Sequence, residues 1–255
     1  MHGCFFAARL VVLFVIVQSA LVVSVSADTP VCTACGKPLT GEAVIYNGDT
    51  EHPYCLECDA SPERCDACGQ PLGVSWRLYS DGRRLCALCL RDGVFSAERA
   101  MPIKREVFHL LESLVGIRPP NDVHYQIVDE KRLRVLLGRE VGYEQGLTDL
   151  DTTGAITISI LSGLRSVRFT HTLAHEIAHA WAFENTPSEL SLETSEGFAE
   201  WVAFLVLEKK GYNNETSRMI SRGDVYGEGL RRMLSMQQRW GVAGILSRLK
   251  SGSLR

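Results

Sequence analysis

Past Cys89 this chain has no cysteine, and as a whole it carries no surplus of positive charge. With 27 Lys and Arg against 30 Asp and Glu the formal net charge is −3, so the chain lacks the basic field on which nucleic-acid binding depends, and no nucleic-acid partner is expected. A long apolar run is missing too. The stretch Leu10 to Val25 is interrupted by Gln18, Ser19 and Ser24, and it falls short of the roughly 20 residues that cross a bilayer as a helix. His2 and Arg9 precede it and the small residues Val25-Ser26-Ala27 follow, so residues 1–27 read as an export signal cleaved after Ala27 rather than as a retained anchor. The expected product is secreted or periplasmic, has no stable membrane span after signal cleavage, and loses Cys4 with the signal. At 45% hydrophobic residues over 255 positions, the chain can bury the core of one substantial domain beside a small module.

What the chain does have is eight further cysteines crowded between residues 32 and 89. They form four C-x-x-C pairs: Cys32 with Cys35, Cys55 with Cys58, Cys65 with Cys68, and Cys86 with Cys89. Two thiolates on one tight knuckle can point at the same tetrahedral ion, and two knuckles complete its shell, so eight sulfurs suggest two structural zinc ions. A disulfide framework is the alternative in an oxidising compartment, although adjacent pairs are awkward staples for distant parts of a chain. Sequential pairing gives one site from Cys32, Cys35, Cys55 and Cys58 and another from Cys65, Cys68, Cys86 and Cys89. The halves share C-G-K-P-L-T-G and C-G-Q-P-L-G at matching offsets, which marks an internal repeat. Short strands are expected at Ala43 to Tyr46 and Ser75 to Tyr79, with Asn47-Gly48 and Asp81-Gly82 as turns.

At His52-Pro53-Tyr54-Cys55 the module resembles a LIM domain, whose first site takes two cysteines, then a histidine and a cysteine. Cys32, Cys35, His52 and Cys55 follow that order, but six residues separate Cys58 from Cys65 where the LIM pattern packs its second site at once. The fourth ligand is therefore either Cys58, which restores a pair of knuckles and is favoured, or His52. A protein partner at the LIM-like module is a corresponding expectation.

From Glu98 the pattern changes. Ile103, Val107, Leu110, Leu111 and Leu114 form a helical stripe with Pro102 near its start and Gly116 as its stop. Val123, Tyr125 and Ile127 alternate, and 134–137 offers another extended stretch. In Ala155 to Leu161, three isoleucines face one way while Thr157 and Ser159 face the other. Such a strand either offers an edge to an extended peptide or lies half-buried in the core.

The next segment holds His175-Glu176-Ile177-Ala178-His179 within a helix expected from Phe169 to Phe183. Helical spacing puts the two histidines one turn apart, able to aim at one metal, with Glu176 beside them to take a proton from water. Catalytic zinc needs a third protein ligand and an open position. Glu193, Glu196 and Glu200 follow on one face of a second helix, and Glu196 opens E-G-F-A. This resembles the glutamate-ligand zinc peptidases, including aminopeptidases whose second helix carries N-E-G-F-A. The resemblance implies Glu196 as third ligand, Gly197 for close helix approach and Glu200 as acceptor for an imidazole N–H. After His179 the chain lacks the glycine and third histidine of the other major zinc-protease class, which agrees with a glutamate. Glu193 fits a solvated surface role, and His171 a polar lining of the site.

The order of a LIM-like module, I-L-S-G-L, T-H-T-L-A-H-E-I-A-H-A-W, S-E-G-F-A-E and V-Y-G-E-G-L resembles the LIM-associated peptidases of plant growth control and their bacterial relatives. Tyr226 matches that family's Y-G-x-G element. A phenol there suits stabilisation of an oxyanion, and it equally suits a turn tyrosine packed on the core. The architecture expected is α+β: a two-zinc LIM-like module over 28–92, a connecting helix over 93–120, and a zincin-like peptidase domain over 121–255. The expected chemistry is hydrolysis of protein or peptide substrates, with one catalytic and two structural zinc ions. Cleavage inside the substrate chain is expected, with side-chain preference set by the Thr157 and Ser159 face, the surrounding loops and the module. A zinc-containing binding protein with a non-catalytic HEIAH domain is the other reading.

Overall fold

A computed structural model describes residues 29–46, 52–120, 122–139, 144–187 and 190–254. The segment read as an export signal and the Asn47-Gly48 turn lie outside the described residues. The chain is a mixed α+β fold, and its first part repeats one C-x-x-C knuckle geometry. Cys32 N–H donates to Lys37 O and Cys65 N–H to Gln70 O, while Gly36 N–H and Gly69 N–H return to the carbonyls of Cys32 and Cys65, all within 2.8–2.9 Å. So tight a return needs left-handed backbone, and Gly36 and Gly69 supply it at φ 73° and 71°. Each knuckle is followed by an antiparallel hairpin: β1 (Ala43–Ile45) with β2 (Pro53–Cys55), then β3 (Arg77–Leu78) with β4 (Arg84–Leu85). A short helix starts after the third cysteine of each set, α1 (Leu56–Asp59) after Cys55 and α2 (Ala87–Asp92) after Cys86. The halves are joined by Tyr54 Oη donating to Gln70 Oε1 at 2.9 Å and by Val74 N–H donating to Ala34 O at 3.0 Å.

The chain then enters the larger core directly. β5 (Gly93–Val94) pairs with a later strand, β9 (Leu164–Arg165). Ser96 caps α3 (Ala97–Leu114), which buries Val107 and Leu111 and has Pro102 inside it, later than the expected start. The main sheet has the order β6-β8-β7, with β6 (Val123–Val128) parallel to β8 (Ile156–Leu161) and β7 (Gly146–Leu150) antiparallel to it.

Two expectations are corrected here. Residues 134–137 are not extended but end α4 (Glu130–Leu137), which Asp129 caps by accepting Arg132 N–H and Gly138 closes in the left-handed conformation. β8 is not a free edge. It is hydrogen-bonded on both sides, and Ser159 is buried and accepts from Gln126 Nε2 at 2.8 Å, so the Thr157 and Ser159 face is no open peptide platform. β7 is the edge strand on that side.

Four helices complete the core: α5 (Ser166–Asn185), α6 (Leu192–Lys209), α7 (Asn213–Ser221) and α8 (Val225–Lys250). α6 and α8 touch backbone to backbone, because a Cβ on Gly197 would lie 2.7 Å from the Gly229 Cα. The close approach expected at Gly197 is thus made to α8. Among the described residues no helix is long and apolar enough to cross a membrane.

Candidate metal centre and cleft

The two cysteine sets converge as sequential pairing predicts. Cys32, Cys35, Cys55 and Cys58 bring their sulfurs within 4.8 Å of one another, as do Cys65, Cys68, Cys86 and Cys89, and Cys58 rather than His52 completes the first group. Cys55 N–H donates to Cys32 Sγ and Cys86 N–H to Cys65 Sγ, both at 3.3 Å. Burial works against a thiolate at Cys32, yet the N–H groups of Cys55, Cys35 and Ala34 outweigh it and lower its pKa to about 6. Both tetrads are compatible with structural zinc sites, since thiolates are the form that ligates the metal.

A third cluster lies where α5 faces α6. His175 Nε2 and His179 Nε2 are 3.0 Å apart, and Glu196 Oε2 is 3.3 Å from the first and 3.7 Å from the second. Two imidazole nitrogens and a carboxylate oxygen aimed at one point form a donor set that suits a divalent zinc ion. Burial opposes charge on His175, but the carboxylates of Glu196, Glu176 and Glu200 prevail and raise its pKa to about 9. Burial likewise opposes charge on Glu196, whose hydrogen bonds from His175 and His179 hold it well below the usual carboxylate range. A cation at this point would compete with a proton for His175, so metal uptake is favoured as pH rises.

The surrounding groups orient this cluster unevenly. Ser195 Oγ sits 3.2 Å from His179 Nδ1. Glu200 Oε2 pairs with His171 Nε2 at 3.1 Å, while its Oε1 stays 3.7 Å from His175 Nδ1, which is buried and has no hydrogen-bond partner among the described residues. The imidazole that Glu200 holds is therefore His171. Glu193 is half exposed and pairs with Arg232 at 2.9 Å, away from the cluster.

Glu176 is buried and faces β7. Thr148 Oγ1 lies 2.7 Å from its Oε2 and 2.9 Å from its backbone carbonyl, so one hydroxyl proton serves both acceptors. A Cβ on Gly146 would come within 2.5 Å of Glu176 Oε1. These β7 residues escaped the sequence reading; a glycine followed at alternate position by threonine was the available signal. Tyr226 stands at the start of α8 with its ring 6.2 Å from that of His175 and the Arg222 guanidinium 4.6 Å above it. Burial, with the charge of Glu196, pushes its pKa up to about 12, so the phenol stays protonated near neutral pH. All these groups line one cleft of about 1230 Å³, which continues past Gly146 and Leu147 to the Cys65–Gly69 knuckle.

Behind the cleft Glu215, 2% exposed, pairs with Arg168 Nη1 at 2.9 Å and Arg218 Nε at 3.0 Å. Its neighbour Thr216 is buried as well, and the N-x-T sequence Asn214-Glu215-Thr216 lies inside α7. Burial opposes the charge of Glu215, but Arg218 and Arg168 outweigh it and lower its pKa to about 2. Because the folded value is depressed, the stabilisation is present above the ordinary value of 4.5 and is lost as pH falls toward 2. Glu215→Gln is therefore expected to cost about 3 kcal/mol at pH 7, the range for breaking a buried pair. Urea unfolding across pH should show the difference from wild type shrinking below pH 4.5.

The chain thus combines two cysteine tetrads with a His–His–Glu cluster on paired helices. Residues 130–224 match a family model described as "DA1-like: Protein DA1", a span that holds His175, His179 and Glu196 and ends before Tyr226. Among curated proteins the chain is similar to Arabidopsis thaliana Protein DA1-related 7, at 23% identity over 226 residues, covering 72% of this chain and 40% of that one. It is also similar to Arabidopsis thaliana Protein DA1-related 1, at 25% over 203 residues covering 64% and 36%, and to Protein DA1-related 3, at 22% over 226 residues covering 71% and 50%. The matches span at most half the length of these relatives. No solved structure matches.

Proposed function

We propose that this chain is a zinc-dependent peptidase that cuts protein or peptide substrates within their chains. The observation that carries the reading is the convergence of His175 Nε2, His179 Nε2 and Glu196 Oε2 beside the buried carboxylate of Glu176. His175, His179 and Glu196 would hold the ion. When bound, zinc supplies a Lewis acid that polarises the scissile carbonyl and acidifies a water. Glu176 is placed to accept a proton from an attacking water as its oxygen bonds the carbonyl carbon, and to return that proton to the amine nitrogen as the carbon–nitrogen bond breaks, the two halves of general acid–base catalysis. Thr148 and Gly146 fix where its carboxylate points. The protonated phenol of Tyr226 donates to the oxygen that gains charge as the carbonyl is attacked. β7, the sheet edge beside Glu176, offers backbone groups to an extended substrate, a mode of binding indifferent to side chains. The cleft runs beyond the centre toward the module, which suits a substrate that continues past the cut bond.

The test is cleavage of a peptide library by purified full-length protein. Metal analysis should find about three zinc ions per chain, two in closed thiolate sites and one in the open site. Chelation should stop cleavage and added zinc restore it, and peptides with blocked amino termini should be cut as readily as free ones. Loss of cleavage on blocking would make the enzyme an aminopeptidase. Partner binding without any metal-dependent cleavage would instead favour the non-catalytic reading.

A further inference from the structure

One buried side chain joins the second cysteine tetrad to the strand and helix that build the centre. Arg83, 3% exposed, leads into β4 and so toward Cys86. Its Nε donates to Asp81 Oδ2 at 2.8 Å, and its Nη2 donates to Ser162 O at 2.9 Å and to Ser162 Oγ at 3.0 Å. Asp81 in turn accepts the N–H of Glu130 at the start of α4 at 3.1 Å. Ser162 is a junction. Its N–H donates to Val128 O at the end of β6, Leu161 N–H donates to Gln145 O just before β7, and Gly163 N–H donates to Val94 O in β5, each at 2.8 Å. β9 and then α5 follow at once, and α5 carries His175, Glu176 and His179. Leu85, packed with Cys65, Cys86 and Cys89 in the module's own core, reaches within 3.6 Å of a Cβ position on Gly163.

The start of β7 and the launch of α5 are thus both referenced to Leu161–Gly163, and Arg83 is the polar clamp on that segment from the module side. Its planar fork engages two oxygens of Ser162 and one of Asp81 together, a geometry that a lysine ammonium on the same stem does not reproduce. We propose that Arg83 is a positioning residue of the His175–His179–Glu196 centre, carrying the fold of the Cys65–Cys68–Cys86–Cys89 site into the junction that sets β7 and the metal-binding helix. The inference rests on reading His175, His179 and Glu196 as a metal centre, but not on cleavage.

The experiment measures zinc affinity of the open centre in full-length protein by chelator competition, with both cysteine sites filled. Arg83→Met is expected to keep the two cysteine-site ions and bind the third about tenfold more weakly, the scale seen when supports behind metal ligands are removed. Hydrogen exchange should quicken across 161–176 and not elsewhere, and any peptide turnover should fall mainly in kcat, because ligand and base geometry is lost rather than substrate contact. Retained cysteine-site zinc with unchanged affinity for the third ion would overturn the proposal. If Arg83→Met also loses the cysteine-site ions, Arg83→Lys, which keeps stem and charge but not the fork, decides by the same criterion. A wild-type chain that takes up only the two cysteine-site ions would overturn the metal-centre reading itself.

Discussion

Glu176→Gln is expected to lower peptide cleavage by about 10²–10⁴-fold, the usual contribution of a positioned acid–base group, while the protein keeps its fold and all its zinc. The amide is isosteric with the carboxylate, and its oxygen can still accept the Thr148 hydroxyl that now lies 2.7 Å from Glu176 Oε2. The atoms that would hold the ion belong to His175, His179 and Glu196, so the substitution removes none of them. What it removes is the basic carboxylate that α5 presents to Thr148 of β7. Paired measurements of metal content and turnover on a verified peptide decide the matter. Turnover at the wild-type rate with normal zinc would show that another group takes the proton, and loss of zinc would show that Glu176 belongs to the ligand set.

The parts of this site that could be read in the sequence are those whose geometry is local. C-x-x-C places two sulfurs on one knuckle, and a four-residue helical interval places His175 and His179 on one face. Such relations hold whatever surrounds them, and the knuckle pairs and the His175–His179 pair form accordingly. Relations between distant segments were less legible. Ile156, Ile158 and Ile160 identify a strand, but nothing in their alternation says whether its edges are free; that depends on β6 and β7, and both are paired to it. Gly146–Leu150 has too weak a pattern to declare itself, and its place beside Glu176 follows from that pairing. The extended reading of 134–137 failed for a different reason. The helix signals lie outside those four residues, in the Asp129 cap and the Gly138 stop. Arg83 could not be singled out at all, because its partner Ser162 lies 79 residues away.

Gly146→Ala should reduce cleavage by about 10²-fold, the penalty for displacing a reacting group by roughly 1 Å, with only a modest loss of stability. The new Cβ would stand 2.5 Å from Glu176 Oε1, 2.8 Å from its Cγ and 2.7 Å from Thr172 Cγ2. None of these separations is tolerable, so something must move. β7 is held along its length to β8, and Thr172 is β-branched and buried in α5, which makes both reluctant to shift. The carboxylate end of Glu176 has the softest torsions, and its rotation relieves the closest contact while taking the base away from its position. Overpacking of this kind costs about 1–3 kcal/mol, small enough for the variant to remain folded and to keep its zinc. Thr148→Val is the companion measurement: it removes the hydroxyl that orients Glu176 but adds no obstructing atom near Gly146, so its effect on kcat should be smaller. An alanine at 146 that left kcat unchanged would mean the contact with β7 does not place the base, and Glu176 would then owe its orientation to α5 alone.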